Sequence, residues 1–188
     1  MNRRRMLHSL KAGVDLGDYE DAAVLPLETD PQIYLSRNSL PQPFHLICEK
    51  DTVISQLSGS ADVHLRESSV NRFRMDVGDH VYIPAGTPHQ IVPIEPGVTL
   101  RYMALEAGRL GTAWYCSGCG AEVQRYEFEH DNEVPLIFTY AAAISRFNAD
   151  IKARTCANCA VVHPEIDLAR YGWDVAAASV SSLTTIDT

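Results

Sequence analysis

The chain has no basic excess: 16 Lys and Arg stand against 24 Asp and Glu in 188 residues, for a formal net charge of −8. With no basic stripe to displace counterions from a phosphate backbone, nucleic acid is not an expected partner. The one basic cluster, Arg3-Arg4-Arg5, is followed by no apolar stretch and reads as a solvated end, not as a signal peptide or a nucleic-acid arm. Nowhere does the chain approach the ~18 uninterrupted apolar residues of a membrane span, so no membrane partner is expected. Internal repeats are absent. Cysteine is scarce, and four of the five cysteines sit in paired C-x-x-C knuckles, a usage that suits thiolates holding metal in a reducing compartment. These absences together predict a soluble cytoplasmic protein.

What is present is mostly β-strand punctuation. From Val24 onward, short runs rich in Val, Ile, Tyr and Phe alternate with Asn-Ser, Glu-Lys-Asp, Ser-Gly-Ser, Gly-Asp and Pro-Gly turns. Strands are expected over Gln32–Ser36, Phe44–Cys48, Thr52–Leu57, Ala61–Leu65, Asn71–Met75, His80–Ile83, Gln90–Pro93 and Val98–Leu105, with no room for helical crossovers. That is the signature of a small antiparallel barrel. Gly78 to His89, GDHVYIPAGTPH, organises it: a Gly-Asp turn launches Val81-Tyr82-Ile83, and Pro84-Ala85-Gly86 turns the backbone to aim one imidazole, His89, back across the strand. The expected organisation is a helical segment over 1–23, a barrel over 24–110, a Cys-rich module over 111–170 packed on it, and a flexible tail over 171–188 made of small and polar residues.

Cys116-Ser-Gly-Cys119 and Cys156-Ala-Asn-Cys159 each put two thiols on one tight turn. Two such knuckles predict a tetrahedral four-sulfur cage for zinc or rubredoxin-like iron, weighed against two disulfides, free thiols or a redox pair. A closed cage has no open coordination position, so its expected work is to staple the module.

The spacing G-x5-P-x-G-x2-H resembles the second signature motif of the cupin barrels, double-stranded β-helices of jelly-roll type. With Gln56-Leu57-Ser58-Gly59, Trp114-Tyr115-Cys116-x-x-Cys119-Gly120, Cys156-x-x-Cys159 and Val162-His163-Pro164, the chain resembles the bacterial type of 3-hydroxyanthranilate 3,4-dioxygenase over most of residues 50 to 166. The resemblance implies a cupin that opens the ring of a small aminophenol-type aromatic with O2 at Fe(II) held by two histidines and a glutamate. It also implies a remote four-cysteine metal, Fe or Zn. On this match His89 is an iron ligand, Glu106 the acidic group beside the substrate, and Cys116, Cys119, Cys156 and Cys159 the second site.

The first half-motif departs from the family. The glutamate position falls on Thr52, which offers no anionic oxygen, and the histidine position falls near Leu46. His45, His64 and Glu49 are the residues that could repair the ligand set. Pro93, four after His89, and Pro41-Gln42-Pro43-Phe44 stand where the family's substrate-gripping arginines belong, which leaves Phe44, Arg37 and Arg101 as candidate substrate-binding residues. Two readings follow: an iron-dependent dioxygenase, or a catalytically altered cupin that retains the structural metal and binds a small ligand or protein partner; another metal with isomerase, decarboxylase or hydrolase chemistry is a third. A homodimer is expected from uncovered strand edges and the apolar stretch Val134 to Ala143.

Overall fold

The computed structural model describes the backbone of residues 6–184 and the side chains of residues 6–179. After a short helix α1 (Ser9–Gly13), nine strands follow: β1 (Ala22–Ala23), β2 (Gln32–Asn38), β3 (His45–Cys48), β4 (Thr52–Leu65), β5 (Arg72–Met75), β6 (His80–Ile83), β7 (His89–Met103), β8 (Arg109–Tyr115) and β9 (Glu122–Glu129). They form one antiparallel sheet in the order β1-β2-β7-β3-β8-β9, and β4 pairs with β5, β6 and β7. Among the described residues no helix separates one strand from the next, as the turn pattern implied.

Two long strands make the sheet curl. β4 was expected as two strands around Ser58-Gly59-Ser60, and β7 as two around Glu95-Pro96-Gly97. Each instead runs through, and the register between them shifts at Gln56/Ser58, Ser58/Ser60 and Ser60/Ala61. Such bulges bend a strand and increase its twist. A Cβ on Gly97 would lie 1.9 Å from the Ser58 carbonyl oxygen, so only glycine lets the two backbones cross this closely. The result is a curled, mostly-β sheet with a four-cysteine cluster toward the C-terminus.

The Cys-rich region is joined to this sheet more closely than its composition suggests. β8 pairs with β3 in register, His45 opposite Ala113 and Cys48 opposite Leu110, so the sheet passes without a break through residue 110. Helix α2 (Leu136–Ala149) then lays Leu136, Tyr140, Ala141, Ile144 and Phe147, spaced three and four apart, into the same core as Tyr34, Phe44 and Trp114. The Phe147 ring stacks on Trp114 with centroids 4.1 Å apart and planes 9° from parallel. The apolar stretch Val134 to Ala143 is thus largely spent inside its own chain.

The flexible tail expected over 171–188 needs correction across its described part. After α3 (Ile151–Arg154) and a 3-10 turn (Ala169–Tyr171), helix α4 (Asp174–Thr184) packs on α2. Its anchor is Trp173, fully buried between Phe44, Tyr140 and Tyr171, whose indole N–H donates to the Asp18 carbonyl at 2.7 Å. One large aromatic outweighs the polarity of the residues after it. Residues 185–188 lie outside the described part.

Candidate functional site

The two knuckles are built alike. The Gly120 amide donates to the Cys116 carbonyl at 2.8 Å and the Cys116 amide to the Ala121 carbonyl at 2.8 Å; Ala160 and Cys156 repeat the pattern with Cys156 and Val161 at 2.9 Å each. The turn needs a left-handed residue after the second thiol, met by Gly120 at φ 75° and, at a steric cost, by Ala160 at φ 61°. The four cysteines are free thiols whose sulfurs all lie within 4.8 Å of one another. Cys116 and Cys159 approach to 3.4 Å and Cys119 and Cys156 to 3.6 Å.

Backbone donors favour the thiolate here: the Ala121 amide, followed by the Asn158 side chain, draws Cys119 down to about 6. The Val161 amide acts in the same sense on Cys159, but its bonds with Cys116 and Cys119 outweigh it and leave Cys159 at about 12. Four sulfurs this close cannot all ionise without a cation among them, and a divalent metal would remove that conflict. The donor set fits zinc or iron, and a metal held by these four sulfurs would supply folding energy, with no position open to a substrate.

The barrel interior is different. His89, brought to the start of β7 by the Pro84-Ala85-Gly86 turn, is fully buried. Its Nδ1 lies 3.1 Å from the Thr87 carbonyl, and its Nε2 lies 2.6 Å from Nη1 of Arg101. A guanidinium can only donate, so Nε2 is the acceptor and the proton sits on Nδ1. Burial, and after it the Arg101 charge, holds this imidazole neutral, well below the usual histidine range.

Arg101, 3 % exposed, lies with its Nε 3.8 Å from Oδ2 of the buried Asp21, which also accepts from the Tyr140 hydroxyl at 3.1 Å. Burial raises the Asp21 carboxyl while Arg101 and Tyr140 draw it back. His45 is arranged like His89: Nε of Arg66 donates to its Nε2 at 3.3 Å, and burial, with Arg66 and His64 adding to it, takes it down to about 3. Both candidate imidazoles therefore spend the Nε2 lone pair on an arginine N–H.

The other candidate ligands do not converge on His89. His64 is half-buried on β4, opposite Gln90 and Arg72, beside a surface cavity. Glu49 is at the surface, paired with Arg109 and Lys50. Thr52 is buried where the acid was sought, and its neighbour Asp51 stays outside, accepting from the Ala85 amide at 2.8 Å. Glu106 is exposed in the loop between β7 and β8, and Arg37 is exposed on β2. Phe44 is core, packed against Trp114, Tyr140 and Trp173, so it offers no face to a ligand. Among the described residues, the four cysteines are the one group of three or more His, Cys, Asp or Glu whose ligand atoms close on a common point. The barrel residues do not fit a two-histidine, one-carboxylate iron site.

Sequence reading missed Asp21, Tyr140 and the partnership of Arg101 with His89. Arg101 carried a signal, since it alternates with Thr99 and Met103, both buried on the same strand. Asp21 carried none: it stands in an acidic loop that reads as surface.

No protein-family model matches the chain. A curated protein from Ruegeria pomeroyi named 3-hydroxyanthranilate 3,4-dioxygenase is 29% identical over 92 residues, which covers 46% of this chain and 48% of that protein. The chain thus matches about half the length of this curated relative. Among solved structures, hydroquinone 1,2-dioxygenase from Sphingomonas sp. TTNP3 superposes with a TM-score of 0.46 at 13% identity, over 54% of this chain and 80% of that one. A cupin-2 domain protein from Shewanella frigidimarina superposes with a TM-score of 0.45 at 15% identity, over 53% and 94%.

Proposed function

We propose that this chain is a cupin of the ring-opening dioxygenase type that keeps the four-cysteine structural metal, carries no iron in its barrel, and serves as a binding protein for a small ligand or protein partner. The observation that carries this reading is Arg101, whose Nη1 stands 2.6 Å from the His89 nitrogen that an iron would need. Thr52 in the place of the acid, and Arg66 on His45, support the same reading from the other half of the site.

The sequence similarity to a 3-hydroxyanthranilate dioxygenase favours the other reading, an active iron enzyme. That reading requires Arg101 to leave His89 and a carboxylate, such as the Asp21 now paired with Arg101, to reach the freed nitrogen.

Oxygen uptake separates the two. After anaerobic loading with Fe(II) and removal of the excess, the protein is given 3-hydroxyanthranilate or 2-aminophenol in air. We expect no uptake above a matched free-iron control with either compound. Sustained uptake that His89→Ala abolishes would overturn the proposal and restore the dioxygenase.

A further inference from the structure

We propose that Arg101 is a built-in replacement for the barrel metal: its guanidinium holds the cation position next to His89, and removing it uncovers a latent metal site. The inference rests on the iron-free reading above and deepens it, because it says what keeps iron out and what would let a metal in.

The geometry is that of a cation among ligands. Arg101 is 3 % exposed, enters from near the C-terminal end of β7, and donates to His89 Nε2 at 2.6 Å. Asp21 brings a carboxylate oxygen to 3.8 Å from its Nε from the loop before β1, and Tyr140 fixes that carboxylate from α2. Imidazole nitrogen and carboxylate oxygen, supplied by two separate elements, thus flank one positive charge. These donor types hold Zn(II) and Co(II), and here a guanidinium stands among them.

The guanidinium also fits this position imperfectly. Its Nε N–H is buried with no hydrogen-bond partner among the described residues. Charge, more than a full set of hydrogen bonds, accounts for its place. A cation also answers Asp21, whose carboxylate would otherwise be buried with only neutral hydroxyls, Tyr140 and Ser36, against it. On this view the barrel still needs a positive centre, and the chain supplies its own.

The test is a Co(II) titration of metal-free protein, read by visible absorption and metal content, on wild type, Arg101→Ala, and Arg101→Ala with His89→Ala. Wild type should take one equivalent, with the intense sulfur-to-cobalt bands of the cysteine cage. Arg101→Ala should have a lowered melting temperature and take a second equivalent, which raises that temperature again and which is lost in the double variant. Methylguanidinium should partly restore the melting temperature of Arg101→Ala and leave wild type unmoved.

If Arg101→Ala takes one equivalent and melts like wild type, the replacement idea is wrong while the iron-free reading stands. If wild type itself takes a second equivalent that His89→Ala removes, both fail. Should Arg101→Ala not fold, nitrogen-15 spectra of the wild-type histidines decide. The His89 ring should keep its proton on Nδ1 and show no paramagnetic broadening when Co(II) exceeds one equivalent, and broadening there would sink the proposal.

Discussion

Trp173→Ala is the sharpest perturbation of the packing that covers the barrel. The Trp173 side chain is fully buried against Phe44, Tyr140 and Tyr171. An indole of this kind hides ~200 Å² of surface, worth ~5 kcal/mol at ~25 cal/mol per Å². Truncation to alanine in a close-packed core costs about 3–5 kcal/mol, because α4 and α2 can collapse only partly into the gap. The Asp18 carbonyl loses its donor as well. For a chain of this size the melting temperature should fall by roughly 8–15 °C. Urea denaturation of the metal-loaded protein, followed by far-ultraviolet circular dichroism, measures the loss, and limited proteolysis should show new cleavage after Leu168. A change below ~0.5 kcal/mol, the usual range for a surface substitution, would mean that residues 171–184 do not anchor on the barrel and that the packing described above is wrong.

The second knuckle gives a prediction of opposite sign. Ala160 holds the left-handed position that Gly120 holds in the first knuckle, so Ala160→Gly should stabilise the metal-loaded protein by ~1 kcal/mol, seen as a higher urea midpoint. Acid sensitivity follows from the buried imidazoles. His45 is held down to about 3, whereas an unfolded histidine titrates near 6.5, so the folded state binds fewer protons throughout that window. Its stabilisation is complete above pH ~6.5 and is lost as pH falls from there through about 3, at up to ~1.4 kcal/mol per pH unit. His45→Gln should flatten the pH slope of stability by about that amount between pH 6.5 and 4.5, measured as a difference from wild type so that metal release cancels; an unchanged slope would place the ring in water.

The parts of the molecule that were legible in the sequence are those encoded locally. β6 (His80–Ile83) was found to the residue, because a Gly-Asp turn precedes it, Pro84 ends it, and its alternation is clean. The cysteine cage was legible for the same reason, since each knuckle is a single turn. Misreadings arose where tertiary structure overrides a local sign. Ser58-Gly59-Ser60 looks like a hairpin loop and is instead a bulged stretch of β4 against β7. α2 has no side-chain N-cap to announce it, with Pro135 at its start, and the small residues of α4 say nothing of the Trp173 that pins it. His89 follows its turn onto β7, yet its partner Arg101 stands 12 residues further along the same strand, and the partner of Arg101, Asp21, comes from the N-terminal loop. Motif spacing fixes where a ligand residue sits, and the surrounding charge decides what it holds.

One metal, held by sulfur, should serve the whole chain. Elemental analysis of protein prepared with both iron and zinc in excess, then desalted, tests it most directly when wild type, His89→Ala and Cys119→Ser are compared side by side. We expect one metal per chain in wild type, one in His89→Ala, and none in Cys119→Ser, whose two knuckles should lose their order because a structural zinc can supply ~10 kcal/mol or more. Two metals per wild-type chain, falling to one in His89→Ala, would contradict it.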